Sequence, residues 1–184
     1  MGKDRMMSRQ LSQIEIDEAR LVFGTSLDTS RIIVYEAARW PDWIARAAAR
    51  IAGRPAPTHN AVTLGNRMYF PLVLQTNVEH DEAFSLQDMA WVIHELTHAW
   101  QYQHQGWRSF WEAFKVQIRL GPHAYDYGWE QGLNSARMRG ESLFDFNPEQ
   151  QGDIARHFYY RLKQGLSTQA WDPFVLFFRT PLSD

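Results

Sequence analysis

Along much of this chain the apolar positions recur with the period of a helix, and the polar and glycine positions between them mark where helices begin and end. The clearest case lies between Ser85 and Gly106. On a helical wheel Met89, Val92, Leu96, Ala99 and Trp100 fall on one side, and Ala90, His94, His98 and Gln101 fall on the other. The pattern predicts a helix with an apolar back and a face carrying two histidines, where the small Ala90 leaves room. Ser85, with Asp88 three residues on, reads as its capping signature, and Gly106 as its stop.

The same reading applied elsewhere predicts the remaining elements. Ser12 with Glu15 opens a helix through about Phe23, closed by Gly24. Arg31 to Glu36 is rich in β-branched residues and predicts a short strand. Asp42 to Ala52, between Pro41 and Gly53, predicts a helix, and Pro55 to Thr58 a loop. Ala61 to Leu64 and Arg67 to Leu74, on either side of Gly65-Asn66, predict a hairpin. Gln75 to Ala83 is polar and acidic and reads as a loop. Trp107 to Leu120 predicts a helix, and His123 to Phe146 is mixed, interrupted by Gly128, Gly132 and Gly140. Asn147 caps a helix with Pro148 at its first position, running to about Lys163 before Gly165. Trp171 to Phe178 is apolar and of undefined type. There is no internal repeat, low-complexity tract or linker. The expected fold is therefore α+β: a flexible N-terminus over residues 1–11, then one domain over 12–184 with a small early sheet and a mainly helical remainder.

Composition narrows the function. The 184 residues suffice for one substantial core, and an aromatic content of 14% implies dense packing. A net charge of -2 lacks the basic surplus that nucleic-acid binding demands. No apolar run approaches the length of a membrane span. The absence of cysteine excludes thiol catalysis, disulfides and cysteine ligation of metals. Met1 to Ser8 lacks the apolar core of a secretory signal, so work outside the producing cell needs another carrier, and otherwise the protein is cytoplasmic.

The candidate chemistry lies on the central helix. His94-Glu95-Leu96-Thr97-His98 is an HExxH pattern. Residues four apart share one helical face, so two imidazoles can grip one zinc ion while Glu95 holds a water beside it. Catalytic zinc takes three protein ligands, and three residues offer the third. Glu149 stands at the start of a capped helix with Asp153 one turn on, where one carboxylate can bind metal and the other can accept the free ring N–H of a ligating histidine. His104 has the spacing of the extended motif HExxHxxGxxH, but Gln101 occupies the position where that motif turns on glycine, and a continued helix carries His104 away. Glu141, followed by Asp145, has weaker helical context.

The HELTHA string followed by Glu149-x-x-x-Asp153 resembles the gluzincin zinc metallopeptidases. The wider set, HELTHAWQ, then Ala124-Tyr125-Asp126-Tyr127, then Asn147 to Ile154, resembles the bacterial Vgr-related metallopeptidases found alone or attached to spike proteins of type VI secretion systems. The resemblance implies a zincin-like fold with an HExxH active-site helix and one zinc per chain on His94, His98 and Glu149, with Asp153 supporting a ligand. It implies hydrolysis of a peptide or amide bond with Glu95 as general base. It also points to an antibacterial effector that acts in a competitor's periplasm, with a spike protein or an immunity protein as partner. Tyr125 and Tyr127 are the favoured donors to the oxyanion because the resemblance retains that string, with His157 as a further candidate. A peptide substrate is expected to pair with the Arg67 to Leu74 strand if that strand lies at a sheet edge. Trp91, Trp100, Trp107 and Trp111 line apolar subsites or pack the core. The alternatives are a zinc-binding or partner-binding module without turnover, and a metal-free protein carrying the motif by accident.

Overall fold

The computed structural model describes residues 6–41, 60–77, 83–107 and 124–180. Among these the elements run β1 (Met7–Arg9), α1 (Gln13–Phe23), β2 (Ile33–Glu36), β3 (Val62–Leu64), β4 (Arg67–Tyr69), α2 (Ala83–Gln105), α3 (Trp129–Met138), α4 (Pro148–Lys163) and α5 (Asp172–Arg179). The fold is α+β, with the strands in one sheet of order β1-β2-β4-β3. β1 pairs antiparallel with β2, β2 parallel with β4, and β4 antiparallel with β3. The expected helix over Asp42–Ala52, the loop over Pro55–Thr58, and nearly all of the Trp107–Leu120 helix, Trp111 included, lie outside the described residues.

Within the stretch read as a flexible N-terminus, Met7–Arg9 is an edge strand, and Arg9 is what holds it. Its guanidinium forks onto Glu15 of α1 at 2.7 and 2.8 Å and reaches Glu36 at the end of β2 at 2.9 Å. Glu15 is fully buried and also completes the capping box read from sequence, accepting the Ser12 N–H at 2.8 Å while its own N–H bonds the Ser12 hydroxyl. Burial alone would raise the Glu15 carboxyl, but Arg9, the Ser12 amide and the Thr76 hydroxyl together hold it below its ordinary value. One carboxylate thus ties helix, strand and loop together.

The hairpin forms as expected, with Gly65 at φ 64 in its turn. Its second strand ends at Tyr69 rather than Leu74, and β4 is paired on both sides. It is therefore an interior strand and not the free edge expected for a peptide. Buried Val34 and Met68 face each other in the register and fix β2 against β4. Among the described residues the edge beside α2 is β3, because β4 lies between it and the rest of the sheet.

The central helix α2 begins at Ala83, so Ser85 lies in its first turn rather than at its cap. Asp88 spends its carboxylate on the Gln75 N–H at 2.7 Å, which secures the incoming chain instead. The stop is where the sequence put it, at Gly106 with φ 66. The histidine face is not open. Ala90 and Gln101 are as buried as the apolar back, because α4 lies along that face. Behind it Trp100 sits edge-on to Phe178 of α5 and donates its indole N–H to Ser26. Trp91 packs edge-on to Phe70. Trp100 is core and Trp91 packs partly buried against it, while Trp107 is exposed beside Tyr102.

Two helices were not legible as such. α3 contains Gly132, which in the sequence reads as an interruption; a Cβ there would collide with the Tyr127 carbonyl oxygen, so glycine is what lets the helix start so close to the preceding turn. The apolar stretch at the end of the chain is α5, which buries Phe174, Val175 and Phe178.

Replacing Arg9 by Met leaves Glu15 and Glu36 with no cation between them. We expect a loss of about 2–3 kcal/mol in chemical unfolding at neutral pH, below the cost for a fully buried pair because Arg9 is one-third exposed. Glu15 is held below its ordinary value, so this stabilisation is present above the unfolded carboxylate range and fades as pH falls through the folded one. An unchanged midpoint near pH 7 would contradict this account.

Candidate metal centre

His94 and His98 stand one turn apart on α2, their ring centroids 5.1 Å apart. Whether they meet a third ligand depends on how closely α4 approaches. Asn147 caps that helix, its side-chain oxygen accepting the Glu149 and Gln150 amides at 3.0 Å each, and Pro148 fills the first helical position. Glu149 therefore enters in the first turn, with Asp153 on the same face a turn later. Between them is Gly152. A Cβ there would lie 2.7 Å from His94 Cε1 and 2.9 Å from both ring nitrogens, so the imidazole rests directly on the α4 backbone.

That approach closes the cluster. Glu149 Oε2 lies 3.4 Å from His94 Nε2 and 3.6 Å from His98 Nε2, and the three ligand atoms are all within 4.8 Å of one another. Tetrahedral ligands at zinc-like bond lengths stand about 3.4 Å apart, so these separations suit a small divalent ion. The other ring nitrogens are also engaged. His94 Nδ1 meets Asp153 Oδ1 at 3.0 Å, and His98 Nδ1 meets Gln101 Oε1 at 3.0 Å. Both partners accept, so both rings carry hydrogen on Nδ1 and present Nε2 to Glu149, where a proton or a metal ion can sit between them. The cluster is a site that could hold a metal ion.

The charges are mutually supporting. Burial would lower the His94 ring, but Asp153 and Glu149 override it and push it up to about 10. His98 is raised as well, against burial, chiefly by Glu149. Despite their own burial, Glu149 is held below its ordinary value by the two rings and Asp153 chiefly by His94. The electrostatic design favours positive charge between these side chains, and a metal ion entering there displaces protons.

Glu95 is buried beside the cluster, its Oε2 accepting the Thr63 hydroxyl of β3 at 2.7 Å. The two tyrosines separate. Tyr125 places its ring 6.0 Å from His94, near the Glu149 carboxylate. Burial, then the nearby carboxylates of Glu149, Glu95 and Asp153, raise its phenol above the ordinary range, so it stays a donor. Tyr127 is engaged elsewhere: its hydroxyl receives the Trp171 indole N–H at 3.1 Å and meets His157 Nδ1 at 2.9 Å. His157 is in turn stacked under Trp129 at 4.2 Å and brought down to about 4, mainly by burial. Tyr127 and His157 thus partner one another rather than the cluster.

The competing third ligands lie apart from it. His104 turns its Nδ1 back to the Trp100 carbonyl at 2.8 Å, one turn earlier on the continued helix. Glu141 is spent on exposed Arg139. Sequence reading missed three contributors: Thr63, Gln101 as a partner of His98, and Gly152. Only Gly152 carried a signal, as a glycine kept inside a well-capped helix where alanine is favoured by about 1 kcal/mol.

Over 160 residues, 86% of this chain, the sequence is 32% identical to the type VI secretion system spike protein VgrG2b of Pseudomonas aeruginosa, and the chain spans about 13% of that protein's length. The similarity links the chain to type VI secretion. No protein-family model and no solved structure matches it.

Two substitutions test the geometry. Glu149→Ala should weaken zinc binding far more than His104→Ala, measured by competition with a chromogenic chelator; the reverse order would move the third ligand. Gly152→Ala must displace His94 or part the helices, so zinc affinity should fall about tenfold or more, with about 1–3 kcal/mol lost in stability. Wild-type affinity in Gly152→Ala would mean the contact is slack.

Proposed function

We propose that this chain is a zinc-dependent peptidase or amidase, used as an antibacterial effector of a type VI secretion system. The observation that carries the enzymatic reading is that Glu95 is held by Thr63 at the edge of the His94–His98–Glu149 cluster without being one of its ligands. A structural zinc site has no use for such a carboxylate and closes with a fourth protein ligand.

His94, His98 and Glu149 would hold the zinc, and Asp153 and Gln101 fix the two rings. Zinc in that position supplies Lewis acidity that polarises the substrate carbonyl and makes water a nucleophile near neutral pH. Glu95 takes the proton of the attacking water and passes it to the leaving amine. The Thr63 bond occupies one Glu95 oxygen and so aims the other. Tyr125, kept protonated and near His94, would donate to the negative charge that develops on the carbonyl oxygen. An extended substrate has β3 as its pairing edge, the strand that carries Thr63, so the base is tied to the strand along which the peptide would lie. The delivery part of the reading rests on the similarity to the VgrG2b spike protein.

The purified protein should hold about one zinc per chain, and Glu95→Gln should keep the metal while losing on the order of a hundredfold or more of its activity on a peptide mixture. A fully active Glu95→Gln protein would sink the mechanism; a zinc-loaded wild type with no hydrolysis would favour a non-catalytic zinc module. In bacteria, expression with a periplasmic export leader should inhibit growth, and Glu95→Gln should abolish the inhibition. Equal toxicity of the variant, or toxicity confined to the cytoplasm, would contradict the effector reading.

A further inference from the structure

The two histidines are anchored by different chemistry. His94 has a carboxylate, while His98 has an amide from its own helix, Gln101, one turn further on and almost wholly buried. The orientation of that amide follows from its surroundings. Gln151 Nε2 donates to the Phe146 carbonyl at 2.8 Å, and a carbonyl can only accept, so Gln151 turns its oxygen to Gln101. Gln101 Nε2 then donates to Gln151 Oε1 at 2.9 Å and to the Pro148 carbonyl at 3.2 Å, two acceptors for its two hydrogens. Flipping Gln101 would set oxygen against both. Its own oxygen is therefore committed to His98 Nδ1, which must carry the hydrogen.

Two backbone carbonyls at the start of α4 thus dictate the tautomer of a histidine on α2. One of them, Pro148, adjoins Glu149 in the chain. We propose that Gln101 is a positioning residue of the metal site, which locks His98 with its Nε2 lone pair facing the metal and couples that lock to the docking of the helix turn that brings Glu149. The amide bond is made at the position where the three-histidine motif would need glycine, so the residue that keeps the helix straight also replaces the missing ligand with a brace.

This inference rests on reading the cluster as a metal site and not on peptidase activity. The test compares Gln101→Met with Gln103→Met. Gln103 is a second glutamine of α2 that staples structure elsewhere, through Asp28 and Asn66. Zinc affinity is read by chelator competition, and the stability of the metal-free protein by thermal unfolding. We expect both variants to lose stability and only Gln101→Met to lose zinc affinity, by about tenfold or more. In zinc-loaded protein, long-range proton–nitrogen spectra should show His98 protonated on Nδ1. Affinity within twofold of wild type in Gln101→Met, an equal loss in Gln103→Met, or the opposite His98 tautomer would each overturn the proposal. If Gln101→Met does not fold, Gln151→Met removes the group that orients Gln101 and should weaken zinc severalfold; unchanged affinity there overturns it too. A wild type that takes up no zinc rejects the metal site itself, and this proposal with it.

Discussion

The contact on which this molecule turns is the seating of the His94 imidazole against the backbone of α4 at Gly152. A side chain at that position would occupy the space of the ring. Without one, the two helices close to the distance at which Glu149 and Asp153 reach opposite nitrogens of the same histidine. Among the described elements these two helices share the most extensive packing, and that packing is polar along one seam. The glycine costs about 1 kcal/mol of helix propensity, a small amount beside the geometry it permits.

A polar seam inside a hydrophobic core is stable only when its groups are partnered, since each unsatisfied buried group costs on the order of 1–3 kcal/mol. Among the described residues no buried side-chain nitrogen or oxygen lacks a hydrogen-bond partner. The seam runs from Thr63 through Glu95 on one side, and from His98 through Gln101 and Gln151 to the α4 turn on the other. The same economy appears at the far end of the sheet, where Glu15 serves as helix cap and as partner of Arg9. In both places one side chain satisfies two elements, so local folding and tertiary docking depend on the same bonds.

The histidine face of α2 shows why the wheel alone was an incomplete guide. Its two histidines and the small Ala90 point to a face with room beside it. The structure instead covers that face with another polar helix turn, so Ala90 and Gln101 are buried through matching hydrogen bonds and close contact rather than through hydrophobicity. Residue hydropathy cannot report such burial, because it depends on a partner far along the chain.

What sequence alone determined is what short-range physics decides. The capping box at Ser12 and Glu15, the Asn147–Pro148 start of α4, the glycine stops at Gly24 and Gly106, and the Gly65-Asn66 turn each satisfy backbone groups within a few residues, so each was legible. The one-turn spacing of His94 and His98 is likewise a property of any helix, and the pairing of Glu149 with Asp153 needed only the next one. Tertiary structure decided the rest. It placed β4 inside the sheet beside β2, put the Tyr127 hydroxyl on His157, gave Glu95 its Thr63, and oriented the Gln101 amide through Gln151. Those outcomes depend on which groups meet across 30 or more residues of chain, as from Thr63 to Glu95 and from Tyr127 to His157. Such meetings are set by the packing of whole elements, which no local pattern of polar and apolar residues encodes.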